Sequence, residues 1–249
     1  MQNQAPVPHL SVVIPAYNEE GRISESLDRI AAYLGAQAYT YAVLLVDDGS
    51  TDRTLETCRA FAAEHSWLEV VHYPVNHGKG FAVRMGVLSA AGENILICDA
   101  DLATPIEELD GFWRYLDGGA DIVIASRPLR ESHLVKHQPI YRELAGRTFN
   151  LAVRALAVRG IHDTQCGFKL FRREAVQSIF PHCSLNRFSF DIEVLHIAQR
   201  LGFRITEAPV HWYHRPGSKV KLLRDGLSML LDLLKVCARH YDLPKRVCR

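Results

Sequence analysis

Five short runs of nearly continuous apolar residues, each ended by a polar cluster, constrain this chain more than any other feature. They are Leu10–Ile14, Tyr41–Val46, Leu68–His72, Asn94–Cys98 and Ile122–Ser126. A strand covered on both faces reads as an unbroken apolar run, not as an alternation. Between the runs lie helix-like segments at Arg22–Leu34, Asp52–Glu64, Phe81–Ala91 and Ile106–Leu116. Ser50-Thr-Asp52 and Thr104-Pro105 supply N-cap and first-turn chemistry for two of them. The alternation predicts an α/β fold: a Rossmann-like, mainly parallel, doubly wound sheet with helices on both faces.

The second half is less regular. A helix is expected over Tyr141–Val158, a strand-like continuation at Leu170-Phe171, and a loop entering a helix over Arg187–Leu201. A further strand is expected at Ile205–Val210, and an amphipathic helix at Lys221–Arg239. No internal repeat or low-complexity linker divides the chain, so a single domain over residues 1–249 is expected.

At 249 residues, 48% hydrophobic and 23% charged, the composition is that of a folded globular protein. Six cysteines (58, 98, 166, 183, 237 and 248) have neither CxxC pairing nor metal-ligand spacing. They read as reduced thiols, not as a disulfide framework or a zinc site. Met1–His9 has no basic segment followed by an apolar run, and no stretch reaches the roughly 18 apolar residues a membrane span requires. A cytoplasmic chain that touches a membrane only from the side is expected. The net charge of +1 conceals a split: residues 1–121 carry 7 Lys/Arg and 18 Asp/Glu, and residues 122–249 carry 22 and 10. An acidic half suits a metal-assisted site, and a basic half suits phosphate or an anionic surface.

In doubly wound sheets, ligands bind beyond the carboxyl ends of the strands. Pro15-Ala-Tyr-Asn-Glu19 follows the first run, Asp47-Asp-Gly-Ser50 the second, and Asn76-His-Gly-Lys-Gly80 the third. Asp99-Ala-Asp101 follows the fourth and Arg127 the fifth. Neither a G-x-G-x-x-G fingerprint nor a P-loop is present, which argues against a nicotinamide dehydrogenase or a P-loop nucleotidase. Asp99 and Asp101 are close enough to repel unless they share a cation or a proton. Mg²⁺ or Mn²⁺ suits such carboxylates and takes its remaining ligands from phosphate and water. A helix cap beside a solvated acid is the plainer alternative. His162, His211 and His214 lack the spacing of a metal helix and read as surface or core histidines.

The runs Ser11-Val-Val-Ile-Pro-Ala-Tyr-Asn-Glu19, Val46-Asp-Asp-Gly-Ser-Thr-Asp52 and Asp99-Ala-Asp101 resemble family 2 glycosyltransferases of the GT-A type. Asp163-Thr-Gln-Cys-Gly-Phe-Lys-Leu-Phe171 is similar to the dolichyl- and polyprenyl-phosphate hexose synthases, nearest their dolichyl-phosphate β-glucosyltransferase branch. The resemblance spans about residues 10–220. It implies a nucleotide-sugar donor bound by residues 1–121, an acceptor half at 122–218, and a C-terminal helix and tail at 219–249. By resemblance, Pro15, Tyr17, Glu19 and Asp47 would hold base and ribose with Asp48 nearby on the donor side, and Lys79, Gly80 and Ala100 would line the donor. Asp99, Asp101 and Gln165 would organise a divalent metal and the diphosphate. Arg127, Arg215, Ser218 and Lys219 would grip a lipid phosphate. Asp191 or Glu193 stands roughly where relatives with hydroxyl acceptors keep a base.

The implied reaction moves a hexose, glucose from UDP-glucose, onto polyprenyl or dolichyl phosphate in one inverting step. The implied partners are the donor, the lipid acceptor and a membrane surface, with no nucleic acid. The alternatives are a family 2 transferase with another donor (GDP-mannose or UDP-N-acetylglucosamine) or a soluble acceptor, and a nucleotide-sugar-binding regulatory module without turnover. From Arg215 to Arg249 the chain carries 9 Lys/Arg and 3 Asp/Glu. An amphipathic basic helix there suits the headgroup region of a bilayer, and a helix packed on protein suits the pattern equally.

Overall fold

The computed structural model describes residues 7–136, 140–215 and 222–244. The strands are β1 (Leu10–Ala16), β2 (Tyr41–Asp48), β3 (Leu68–Tyr73), β4 (Asn94–Cys98), β5 (Ile122–Ala125), β6 (His133–Lys136), β7 (Phe168–Arg172), β8 (Ile205–Ala208) and β9 (His211–Tyr213). The helices are α1 (Ile23–Gly35), α2 (Thr54–Glu64), α3 (Lys79–Ser89), α4 (Leu109–Asp117), α5 (Ile140–Leu156), α6 (Arg173–Ile179), α7 (Phe190–Arg200) and α8 (Leu222–Ala238).

Seven strands form one sheet in the order β3-β2-β1-β4-β7-β5-β8, and β6 pairs with β9 in a separate ribbon. β1 pairs in parallel with both β2 and β4, so the strand order turns at β1. The fifth predicted strand does not sit beside the fourth. β7 inserts between β4 and β5 and runs antiparallel to both. Its short apolar stretch, interrupted by Lys169, gave only a fragment of strand signal. The ribbon and α6 were also not expected, because pieces of three to seven residues carry too little periodicity to read.

Alternation along the strands divides the core. Leu10, Val12, Ile14, Leu96 and Cys98 face α1, α2 and α4, whose inward residues include Ile23, Leu27, Ile30, Cys58, Leu109 and Phe112. Val13, Ile95 and Ile97 face the other layer, with Val83 of α3, Val153 of α5, Ile192 of α7 and Leu233 of α8. Each fully buried aliphatic side chain contributes about 1.5–3 kcal/mol. That two-sided burial holds the carboxyl ends of β1, β2 and β4 at one edge, where the polar loops emerge.

Candidate active site

The loops after β1 and β2 brace each other. Asn18 adopts a left-handed φ of 53°. Its N–H donates to Ser50 Oγ at 2.9 Å, and its Oδ1 accepts from the Thr51 N–H at 2.8 Å. The Glu19 N–H donates to Thr54 Oγ1 at 2.7 Å. Asp52 Oδ1 accepts from the Thr54 N–H at 3.0 Å, so the expected first-turn chemistry of α2 comes from this side chain. Pro15 and Tyr17 are half-buried at the mouth.

Asp47 and Asp48 point to opposite sides of β2. Asp47 Oδ2 lies 2.8 Å from His72 Nδ1, its cross-strand neighbour on β3. Its Oδ1 is buried without a hydrogen-bond partner among the described residues. Asp48 is taken up by the loop before α3, accepting from the Asn76 amide (2.9 Å) and from the His77 (2.9 Å) and Gly78 (2.7 Å) N–H groups. Its contacts are therefore those of a loop brace. Gly80 is buried as well: a β-carbon there would meet the Leu185 carbonyl oxygen at 2.5 Å and Phe190 Cβ at 2.6 Å. Gly80 thus lets α3 dock on the 185–190 loop, and the sequence expectation that it lines the donor gains no contact from this geometry.

Asp99, Ala100 and Asp101 form a tight turn at the end of β4, closed by the Leu102 N–H donating to the Asp99 carbonyl at 3.1 Å. Leu102 has φ 46°, a conformation costing a non-glycine residue about 1–2 kcal/mol. Ala100 and Leu102 anchor the turn in the core. The strained turn turns both carboxylates toward the edge of the sheet.

The Asp99 carboxylate packs against Gly167, where a β-carbon would come within 2.0 Å of Asp99 Oδ2. Lys79, the first residue of α3, places Nζ 2.6 Å from Asp99 Oδ1. A lysine at a helix N-terminus opposes the helix dipole, so the aspartates hold it there. They also raise its pKa, although its burial acts in the opposite direction. Asp101 Oδ1 accepts from the Ala103 N–H at 3.0 Å, and its Oδ2 lies 3.9 Å from Arg22 Nη1. Arg22 is in turn paired with Glu19.

Burial raises the pKa of Asp101, and repulsion from Asp99 raises it further. Two partly exposed carboxylates under mutual repulsion, one seated in a glycine cradle, fit a hard divalent cation. Among the described residues no three His, Cys, Asp or Glu side chains gather into a metal-binding group, so a metal here would draw further ligands from elsewhere. Phosphate oxygens and water are the usual source. Gln165 directs its amide nitrogen to the Phe188 carbonyl at 3.5 Å.

In the second half, Arg127 is held by a partner the sequence did not announce. Its Nε and Nη2 donate to Asp163 at 2.6 and 2.9 Å, and its guanidinium lies 5.5 Å from the Trp212 ring centroid. Burial alone would raise the Asp163 carboxyl, but Arg127 holds it below the usual carboxylate range. Glu207 fixes this loop in turn, accepting from Ser126 Oγ and from the N–H groups of His162 and Asp163. His162 Nδ1 lies 2.7 Å from Glu207, and His211 Nδ1 lies 2.9 Å from Glu108.

Arg215 lines one small cavity with Arg22, Glu25, Ser26, Arg29, Asp101 and Leu102, and its buried Nε has no hydrogen-bond partner among the described residues. Arg22, which sequence reading passed over, therefore links the first-half turn to this basic wall. Ser218 and Lys219 lie outside the described residues.

The two carboxylates of α7 differ. Glu193 is fully buried and accepts from the Ser184 and Leu185 N–H groups (2.7 Å each) and from Tyr241 Oη (3.0 Å). It braces the 184–185 loop against the C-terminal segment. Asp191 is buried against Lys169, with Nζ 2.6 Å from its Oδ1. Burial raises the Asp191 carboxyl, with Lys169 and Lys79 pulling the other way.

A mostly parallel sheet with one inserted antiparallel strand, opening at its turning point onto paired aspartates and an arginine wall, defines a GT-A glycosyltransferase domain. The chain belongs to glycosyl transferase family 2, which its residues 11–180 match. It is 37% identical over 251 residues to a dolichyl-phosphate beta-glucosyltransferase of Homo sapiens, covering 95% of this chain and 77% of that one. A dolichyl-phosphate beta-glucosyltransferase of Saccharomyces cerevisiae is 33% identical over 246 residues, covering 90% and 73%. In fold, the chain is similar to glucosyl-3-phosphoglycerate synthase of Mycobacterium tuberculosis, crystallised with Mn²⁺, UDP-glucose and phosphoglyceric acid. The TM-score is 0.70 at 23% identity, over 94% of this chain and 81% of that one.

Proposed function

We propose that this chain transfers a hexose, glucose from UDP-glucose, onto polyprenyl or dolichyl phosphate. The observation that carries the reading is that Asp101 and Arg215 line one cavity, so a diphosphate held at the aspartates lies beside a second seat for phosphate. The 33–38% identity to dolichyl-phosphate beta-glucosyltransferases supports the same acceptor and sugar. Pro15, Tyr17, Glu19 and Asp47 form the base and ribose end, with Asp48 holding the adjoining loop. Asp99 and Asp101, with Gln165, hold Mg²⁺ or Mn²⁺, which supplies charge stabilisation to the departing nucleoside diphosphate.

Arg215, with Arg127, Ser218 and Lys219, orients the acceptor phosphate, since a guanidinium matches phosphate oxygens. A phosphate monoester, with a second pKa of about 6, is already ionised at neutral pH and needs no base. Neither Asp191 nor Glu193 is assigned that role. Exposed leucines on α8 provide the contact with the cytoplasmic face of a membrane; no described helix is long and apolar enough to cross one.

Incubating the protein with labelled UDP-glucose, GDP-mannose and UDP-N-acetylglucosamine, each with farnesyl phosphate, tests the proposal. Glucosyl transfer from UDP-glucose is expected. Transfer from another donor would correct the sugar, and donor binding without transfer to any phosphate would overturn the enzyme reading.

A further inference from the structure

Lys169 stands in the middle of β7, in register with Ile97 of β4 and Ile124 of β5, and is among the largest fully buried side chains of the protein. An apolar pair of similar volume often holds such a position as firmly as a buried ion pair does. What an apolar side chain cannot do is donate a hydrogen bond. The Lys169 ammonium donates to Asp191 Oδ1 on α7 at 2.6 Å, and to the Cys166 carbonyl three residues back along its own chain. That carbonyl and the Gly167 N–H belong to one planar peptide unit, so holding the oxygen holds the plane that leads into the Gly167 Cα. Gly167 is in turn the floor of the Asp99 carboxylate: a β-carbon there would lie 2.0 Å from Oδ2, 2.3 Å from Cγ and 2.5 Å from Oδ1. Packing that close leaves no slack, so a tilt of the 166–167 peptide displaces the carboxylate.

We propose, resting on the divalent-metal role of Asp99 argued above, that Lys169 is a positioning residue. Clamped by Asp191, it locks the Cys166–Gly167 peptide and so sets Asp99 for the cation. Every link is a contact: Asp191 to the ammonium, the ammonium to the carbonyl, the peptide to Gly167, and Gly167 to Asp99. Lys79 touches the same carboxylate directly, 2.6 Å from Oδ1, whereas Lys169 acts on it through the backbone. The ion pair is neutral as a whole, and Asp191 left alone in the core takes a proton and is neutral too. Removing Lys169 therefore changes the charge near the aspartates little, and a loss of cation affinity reports geometry.

Mn²⁺ binding at saturating UDP is measured by electron paramagnetic resonance for the wild type, Lys169→Met and Lys169→Met/Asp191→Leu, alongside thermal unfolding and UDP binding without metal. Both variants are expected to bind Mn²⁺ about 10- to 100-fold more weakly, the range for groups that support a metal ligand, with metal-free UDP binding unchanged. Only Lys169→Met should lose thermal stability, since the double variant replaces both charges with apolar groups. A double variant that binds Mn²⁺ like the wild type overturns the proposal, because the pair would then serve only the fold. Should neither variant fold, hydrogen exchange of the wild type decides: Mn²⁺ with UDP is expected to slow the amides of residues 166–169 beyond UDP alone. Exchange there that is indifferent to the cation would overturn the proposal. A wild type that binds no Mn²⁺ would instead sink the metal role of Asp99, and this positioning role with it.

Discussion

The carboxylate of Asp99 rests on the Cα of Gly167, so closely that a β-carbon at 167 would lie 2.0 Å from Oδ2. Two segments far apart in sequence thus build one ligand seat, because β7 enters the sheet antiparallel to β4 and brings Phe168 opposite Cys98. Gly167→Ala is expected to push Asp99 off its position and lower kcat by about a hundredfold, the scale of a misplacement near 1 Å. Thermal unfolding should change little by comparison. Wild-type turnover in a folded Gly167→Ala protein would show that the seat is not needed.

Removing the cation tests the aspartate pair directly. Chelation, or Asp99→Asn, is expected to cut glucosyl transfer by about a thousandfold, as loss of several kcal/mol of charge stabilisation on the leaving diphosphate requires. Calorimetry of UDP with and without Mn²⁺ gives a second readout, with tighter binding expected in the metal's presence only for the unsubstituted protein. Activity indifferent to chelation would remove the metal role.

Arg127 and Asp163 should also matter for stability. Asp163→Ala strands a largely buried guanidinium and is expected to cost about 3 kcal/mol, the lower end for a broken buried pair because Arg127 keeps some solvent contact. The folded pKa of Asp163 is depressed, so its contribution is present above the unfolded value and is lost as pH falls through the folded one. Urea midpoints for wild type and Asp163→Ala should therefore converge below about pH 4, the ordinary carboxylate range. A difference that persists unchanged below pH 3 would contradict the pairing.

α8 separates into two faces. Asp232, Leu233 and Val236 are buried, whereas Leu227, Leu230, Leu231 and Leu234 stand 43–63% exposed at helical spacing. Replacing these four leucines with serine is expected to abolish co-sedimentation with anionic vesicles while leaving UDP affinity unchanged, since none of them touches the site. Equal sedimentation of the two proteins would assign the stripe to another role.

Much of this was legible in the residues. The apolar runs marked β1 to β5, and the polar clusters after them marked the edge where ligands bind, because two-sided burial leaves strand ends as the places to display charge. Helix boundaries shifted by a few residues. Asp48 is held by hydrogen bonds to its neighbouring loop and Gly80 is buried by close packing, and neither tertiary contact is announced by the local motifs. Arg127 is expected by resemblance to grip a lipid phosphate, and in the structure two of its nitrogens also donate to Asp163, 36 residues away. Nothing local in the sequence announces such a partner.

By itself, the sequence determined the class of fold, the paired aspartates and the split between an acidic and a basic half, since periodicity and composition act locally along the chain. Only the tertiary structure decided which charges meet. The antiparallel entry of β7 set Gly167 under Asp99 and buried Lys169 against Asp191. The loop after β9 carried Arg215 to the cavity of Asp101. These pairings depend on strand order and register, and the interaction of two charges falls so steeply with distance that no local pattern could have foretold them.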